Sequence, residues 1–96
     1  MDVLVAYDIA DTEGAGRHRL QRIAAVCSSF GTRVQLSVFE CRVSPERYTR
    51  MVGEILDVIE PSQDSVLIYR FDGSIKANRT RLGRAGVREI DEPWIF

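Results

Sequence analysis

The stretch that most constrains the fold is residues 3–11, VLVAYDIAD, because an apolar run there is followed at once by a carboxylate. The VLVA run at positions 3–6 is typical of a central strand covered on both faces. Asp8 then falls at the carboxyl end of that strand, before a turn over residues 11–16. A carboxylate held there is a candidate metal ligand. On this stretch alone, the more common role is that Asp8 or Asp11 turns the chain or caps the next helix.

Size and composition predict one small soluble domain. The 96 residues and 45% hydrophobic content fit a single domain over residues 1–96. A chain of this length buries only roughly 60 to 65% of its unfolded surface, so added stabilisation by dimerisation is expected. No apolar run approaches the ~20 residues that span a bilayer, and the N-terminus lacks a basic flank and a cleavage site. We therefore expect a cytoplasmic protein without membrane association, with Cys27 and Cys41 as buried, reduced thiols.

Residues 15–30 have the pattern of an amphipathic helix. Leu20, Ile23 and Cys27 lie at three- and four-residue spacing, so they share one apolar face. The opposite side is basic. Gly31 is expected to end this helix.

The next segment, residues 33–43, alternates apolar and polar side chains as a strand does. Eleven residues are long for one strand in a small domain, and the polar Ser37 predicts a break into two short paired strands. Ser44 and Pro45 then begin a second helix, with serine at the cap and proline at the first position. Residues 64–71 follow as another β-rich run.

The C-terminal part, about residues 74–96, is predicted to hold a basic loop, a short extra strand at 87–90 and a tail that contacts a dimer partner. The three bulky apolar residues at 94–96 need a covering surface, which a second subunit would supply. The whole order predicts an α+β, ferredoxin-like βαββαβ fold with an additional short C-terminal strand, assembled as a homodimer.

Basic residues are clustered although the formal net charge is only −1. Twelve of the thirteen are arginine, whose planar fork suits phosphate oxygens. Residues 17–33 hold four arginines and no acid, and residues 70–88 hold six bases against one acid. Solvated helix faces would show the same composition, so the pattern leaves both interpretations open. The candidate nucleic-acid-binding residues from these clusters are Arg17, Arg19, Arg22, Arg79, Arg81 and Arg84.

Three strings carry a family resemblance: YDIAD at 7–11, GTRVQLSVFE at 31–40 and DSVLIY at 64–69. No single string is decisive, but their combination and spacing are specific. The chain strongly resembles the CRISPR-associated endonucleases of the Cas Two family, the small spacer-acquisition protein that accompanies the spacer-integrating enzyme. The resemblance covers roughly the first three quarters of the chain.

This resemblance implies a ferredoxin-like homodimer whose two sheets face each other, with the C-terminal strand reaching onto the partner's sheet. Members of the family are magnesium-dependent endonucleases that act on RNA or DNA. They also form the central dimer of the complex that captures foreign DNA fragments, together with the integrase of the Cas One family. The implied partners are therefore that integrase, duplex DNA and single-stranded RNA.

The resemblance also places the site. The family's metal aspartate falls on Asp8, which is then both the catalytic residue and a ligand of Mg²⁺ or another divalent cation, one from each subunit. Because Mg²⁺ prefers several oxygen ligands, one carboxylate is a weak site, and two Asp8 side chains across a two-fold axis would share the ion. The nucleic-acid-binding positions of the family fall on Arg17, Arg19, Arg33, Ser37 and Phe39.

Two other functions stay open at this point. The first is a non-catalytic dimeric scaffold that holds the duplex DNA backbone through its arginines and bridges the spacer integrase. Phosphate contacts give affinity without reading sequence, which suits such a role. The second is an RNA-recognition-type sheet that stacks bases on aromatic side chains. The predicted strands lack the RNP1 string with its paired aromatics, which argues against it.

Overall fold

A computed structural model describes residues 1–80, 82 and 83 of the chain. In chain order its elements are β1 (Asp2–Asp8), α1 (Gly16–Phe30), β2 (Gly31–Gln35), β3 (Val38–Arg42), α2 (Pro45–Val58), β4 (Ser65–Phe71) and a short 3₁₀ helix (Lys76–Asn78). The strands form one antiparallel sheet in the order β2-β3-β1-β4. This is the ferredoxin-like βαββαβ arrangement, so the predicted fold class is confirmed.

The predicted break within residues 33–43 is a turn between β2 and β3, at Leu36 and Ser37. The backbone N–H of Tyr7 donates to the carbonyl oxygen of Ser37 at 3.1 Å. The turn is therefore tied to the end of β1, next to Asp8.

The helix boundaries follow local sequence signals. At the start of α2, the Ser44 side chain accepts a hydrogen bond from the Arg47 N–H at 3.1 Å, and Pro45 takes the first helical position. α1 passes directly into β2 at Gly31, whose backbone is extended. Glycine is needed there for space, because a Cβ would collide with the Cys41 sulfur on β3. Within the described residues, no helix combines the length and apolar character needed to cross a membrane.

The core fills the space between one face of the sheet and the two helices. Its buried members alternate along the strands, as Val3, Val5 and Phe39 do, and pack against Ile23 of α1 and Met51 of α2. All five side chains are fully excluded from solvent. Burial of this apolar surface is the main stabilising contribution to the fold.

The two cysteines belong to this core, where both are free and buried. Burial raises the pKa of Cys27 to about 12 and that of Cys41 to about 11. Both thiols are therefore protonated at neutral pH, which agrees with the structural role predicted for them.

The other face of the sheet is open. Leu4 and Ala6 of β1 lie on this face and are partly exposed, while Leu67 and Tyr69 of β4 are 53% and 55% exposed. The expectation that β1 is covered on both faces is wrong for the described part of a single chain. The physical reason is that both helices pack against the same side of the sheet.

The segment after β4, predicted to be a basic loop, is anchored to the domain within residues 74–80. Ile75 is buried, and its N–H donates to the carboxylate of Asp2 at 2.8 Å. Arg79 donates to both carboxylate oxygens of Glu40, at 2.9 and 3.0 Å. Four predicted features lie outside the described residues: the strand at 87–90, the tail at 94–96, Arg81 and Arg84.

Candidate functional site

Asp8 is the last residue of β1, and its side chain is exposed. Its backbone faces Ser65 of β4, and the preceding N–H, of Tyr7, is bonded to Ser37 on the other side. The backbone that carries the carboxylate is therefore held by neighbours on both sides. Over residues 1–80, 82 and 83, no hydrogen bond or ion pair engages the Asp8 carboxylate. Its two oxygens are thus accessible to a ligand.

Asp11, rather than Asp8, forms the turn. Its φ of 54° is in the left-handed region, and its carbonyl oxygen accepts the N–H groups of Gly14 and Gly16 at 3.0 and 2.8 Å. Its carboxylate accepts the N–H of Ala15 at 3.0 Å, just before α1. A Cβ on Gly16 would collide with the Ala10 carbonyl oxygen, so this tight connection requires glycine. Asp11 therefore takes the turn-forming role, and metal binding by Asp8 stays a prediction.

A buried ion pair supports the connection from β1 to α1. The Arg19 Nε donates to Asp64 Oδ2 at 2.8 Å, and the side chains are 18% and 0% exposed. The same carboxylate accepts the backbone N–H groups of Ala10 at 2.9 Å and Glu60 at 2.8 Å. Its hydrogen bonds from Arg19 lower the pKa of Asp64 to about 2. Sequence analysis missed Asp64, because its position directly before a strand gave no sign of these partners.

Phe39 is fully buried, which corrects the expectation that it binds nucleic acid directly. Its ring stacks on Tyr7, with centroids 6.1 Å apart, and the guanidinium carbon of Arg33 lies 5.1 Å from its centroid. Because the ring faces the core, it supports the strands and does not reach a ligand in this conformation. Arg33 is half-buried, and its Nε has no hydrogen-bond partner within the described residues. Ser37 is half-buried in the turn that bonds to β1.

The remaining predicted arginines lie in different places. Arg17 is exposed in the first turn of α1, and Arg22 is exposed farther along the same helix, beside a groove against α2. Arg79 binds Glu40, which pairs with Leu4 of β1. Leu4 lies four residues before Asp8, so the two are roughly 13 Å apart along the strand. The structure therefore does not bring Arg79 to the strand end. Nucleic-acid binding by these arginines stays a prediction.

Asp8 offers a metal ion one exposed carboxylate at this strand end. Within the described residues there is no group of three or more His, Cys, Asp or Glu side chains arranged to hold a metal ion. Mg²⁺ keeps several waters and is commonly bound through one or two carboxylates, so an exposed, unpaired Asp8 fits part of such a site. A second copy of the chain is the simplest source of a second carboxylate.

The family profile described as "CRISPR associated protein Cas2" matches residues 1–79. This chain belongs to the Cas2 family. A Chlorobaculum tepidum protein named "CRISPR-associated endoribonuclease Cas2" is 45% identical over the full length of both chains. A Halalkalibacterium halodurans protein named "CRISPR-associated endonuclease Cas2" is 34% identical, again over both full lengths. The resemblance seen in the sequence is confirmed, and it extends beyond the first three quarters of the chain.

Solved structures agree with the Cas2 fold. The chain superposes on Streptococcus pyogenes Cas2 at pH 6.5 with a TM-score of 0.77 and 36% identity, covering 86% of this chain and all of the other. A Thermus thermophilus protein gives a TM-score of 0.71 at 31% identity, covering 86% of this chain and 90% of the other. The chain therefore shares the fold of these solved structures.

Proposed function

We propose that this Cas2-family chain is a metal-dependent endonuclease of the CRISPR adaptation machinery. It hydrolyses phosphodiester bonds in RNA or DNA, and Asp8 of each subunit binds Mg²⁺ or another divalent cation. The observation that carries the proposal is the exposed Asp8 carboxylate, which has no partner among the described residues, at the end of a strand held on both sides. The names of the curated relatives, endonuclease and endoribonuclease, support this class of activity.

In the proposed hydrolysis, a bound metal ion and the protein side chains have different roles. A divalent ion would polarise the phosphate, which a carboxylate cannot do, and would lower the pKa of a bound water. Asp8 supplies the charged oxygens that hold the ion at the strand end. Arg17, exposed in the first turn of α1, supplies a guanidinium that binds phosphate oxygens and stabilises the charge developing on them.

We also propose that the functional unit is a homodimer formed through the open sheet face. By alternation along β1, Asp8 lies on the same face as Leu4 and Ala6, and the neighbouring Leu67 and Tyr69 are more than half exposed. Packing this face against a second copy removes apolar surface from water. A two-fold axis that runs along the direction of β1 in such an interface would bring a second Asp8 to the same end of the sheets as the first.

Replacing Leu67 by arginine should break this dimer, because a charge would be buried within the proposed interface. The matched control is Leu56→Arg on α2, since Leu56 is 58% exposed, much like Leu67 at 53%. We expect Leu67→Arg to be a monomer in multi-angle light scattering and Leu56→Arg to keep the dimer mass. A dimer in both variants would place the interface elsewhere.

Removing divalent metal tests the proposed activity. With EDTA, the purified chain should stop cleaving labelled single-stranded RNA and duplex DNA, and excess Mg²⁺ should restore cleavage. Binding of duplex DNA, measured by fluorescence anisotropy, should persist and weaken steeply with salt, because arginine contacts to phosphate release counterions. Cleavage that is unaffected by EDTA would contradict the metal mechanism.

The exposed Arg17 and Arg22 on α1 favour one second candidate function, a non-catalytic scaffold that holds duplex DNA and bridges the Cas One integrase. The same assay separates the two functions. Salt-sensitive DNA binding with no cleavage of either substrate at any Mg²⁺ concentration supports the scaffold. Salt-sensitive binding together with metal-dependent cleavage supports the nuclease.

A further inference from the structure

Both polar backbone groups of Ala10, two residues after Asp8, are held by the ion pair between Arg19 and Asp64. Asp64 Oδ1 accepts the Ala10 N–H at 2.9 Å, and an Arg19 terminal nitrogen donates to the Ala10 carbonyl oxygen at 3.3 Å. The next residue after Asp64, Ser65, faces Asp8 in the sheet. One buried pair thus braces the strand end from α1 and from the start of β4.

Each of the three side-chain nitrogens of Arg19 already donates a hydrogen bond within the chain. Its Nε and one terminal nitrogen bind Asp64 at 2.8 and 3.3 Å, and the other terminal nitrogen donates to the Ala15 carbonyl oxygen at 3.4 Å. Its side chain is 18% exposed, whereas Arg17, two residues earlier, is exposed. The position of Arg19 on a basic helix therefore does not make it a nucleic-acid contact.

We propose that Arg19 and Asp64 are positioning residues for the metal site, which fix the backbone around Ala10 so that Asp8 is presented in one geometry. This inference rests on the proposed function, because it assigns a support to the same Asp8 site. A partner that orients a metal ligand without touching the ion commonly changes metal affinity by about 10- to 100-fold. The pair should therefore control metal affinity more than nucleic-acid affinity.

The experiment compares Arg19→Lys, Asp64→Asn and the double variant Arg19→Gln/Asp64→Asn. The matched control is the pair at the opposite end of β1, where Arg42 Nε binds Asp2 Oδ1 at 2.9 Å, neutralised as Asp2→Asn/Arg42→Gln. Circular dichroism checks folding. Mn²⁺ binding in the absence of nucleic acid is followed by electron paramagnetic resonance, and duplex DNA affinity is followed by anisotropy as a function of salt.

The expected result is about tenfold weaker Mn²⁺ binding for Asp64→Asn and for the double variant, with unchanged DNA affinity and salt slope. Arg19→Lys keeps the positive charge but lacks the fork that reaches both Asp64 and Ala10, so it should also weaken Mn²⁺ binding. This conservative variant keeps the test decisive if Asp64→Asn fails to fold. The control pair should bind Mn²⁺ like the parent chain.

Two results would overturn the inference. Arg19→Lys and Asp64→Asn could both bind Mn²⁺ like the parent, which removes the positioning role. Alternatively, the double variant Arg19→Gln/Asp64→Asn could bind DNA more weakly than Asp64→Asn alone, with a salt slope smaller by about one. That result would make Arg19 a phosphate contact. The Asp8→Ala variant separates this failure from that of the proposed function. If Asp8→Ala binds Mn²⁺ like the parent, the Asp8 site itself is wrong.

Discussion

Asp8→Ala should lose metal-dependent cleavage by more than about 100-fold while keeping the fold and duplex binding, because it removes a proposed metal ligand. The side chain is exposed and has no partner within the described residues, so its loss should change the free energy of unfolding by less than about 0.5 kcal/mol. Gel assays on labelled RNA and DNA measure the cleavage, and urea unfolding measures the stability. Asp72→Ala is the matched control, since Asp72 is exposed just after β4, beside the other end of β1.

The parent chain and Asp8→Ala should be purified in parallel and their cleavage compared. A contaminating nuclease would give equal cleavage in the parent and in Asp8→Ala, and such equality would remove Asp8 from the mechanism. Asp8→Asn keeps the shape of the side chain and removes its charge, so it should be as inactive as Asp8→Ala. An active Asp8→Asn would show that the charge is not needed, which contradicts direct binding of a divalent cation.

Phe39→Ala should destabilise the domain by about 3 to 5 kcal/mol, because it removes a fully buried aromatic ring and leaves a cavity. The stacked ring of Tyr7 and the guanidinium of Arg33 lose their contact surface as well. Whole domains are stable by only about 5 to 15 kcal/mol, so this loss is a large share of the total stability and raises the unfolded fraction. Urea unfolding curves measure this loss, and Phe39→Leu, which keeps most of the buried volume, should cost much less.

This variant also separates two roles of Phe39. If the ring only supports the strands, nucleic-acid binding by Phe39→Ala should fall in proportion to the unfolded fraction and recover at lower temperature. A variant that is stably folded yet has lost its affinity would show that Phe39 contacts nucleic acid directly, in contradiction to its buried position.

Local signals predicted most of the fold. The length of residues 33–43 and the polar Ser37 indicated a hairpin, and the turn lies at that position. Ser44 and Pro45 marked the start of α2 because capping is satisfied within one turn of chain. Gly31 marked the end of α1, although the physical reason is the close approach of Cys41 rather than a left-handed backbone.

The candidate site was predictable only where its residues are close in sequence. Asp8 could be found because a strand and its last residue are one continuous pattern. Asp64 could not, since its partners Ala10 and Arg19 lie 54 and 45 residues away and meet it only when the chain folds and brings the first turn of α1 close to the residue before β4. For the same reason, the sequence predicted that Arg19, on a basic helix, binds nucleic acid. Only the structure shows that its hydrogen-bond acceptors are Asp64 and the Ala10 carbonyl oxygen.

The sequence by itself determined the order of the elements, their boundaries, the family and the position of Asp8, because each rests on neighbouring side chains or on strings such as GTRVQLSVFE. Only the tertiary structure decided which groups are engaged. Within the described residues, Phe39 is buried, Arg19 is paired with Asp64, Asp11 forms the turn, and Asp8 is unpaired on an open sheet face. The physical reason is that burial and ion pairing depend on distances between segments far apart in the chain, which local periodicity does not specify.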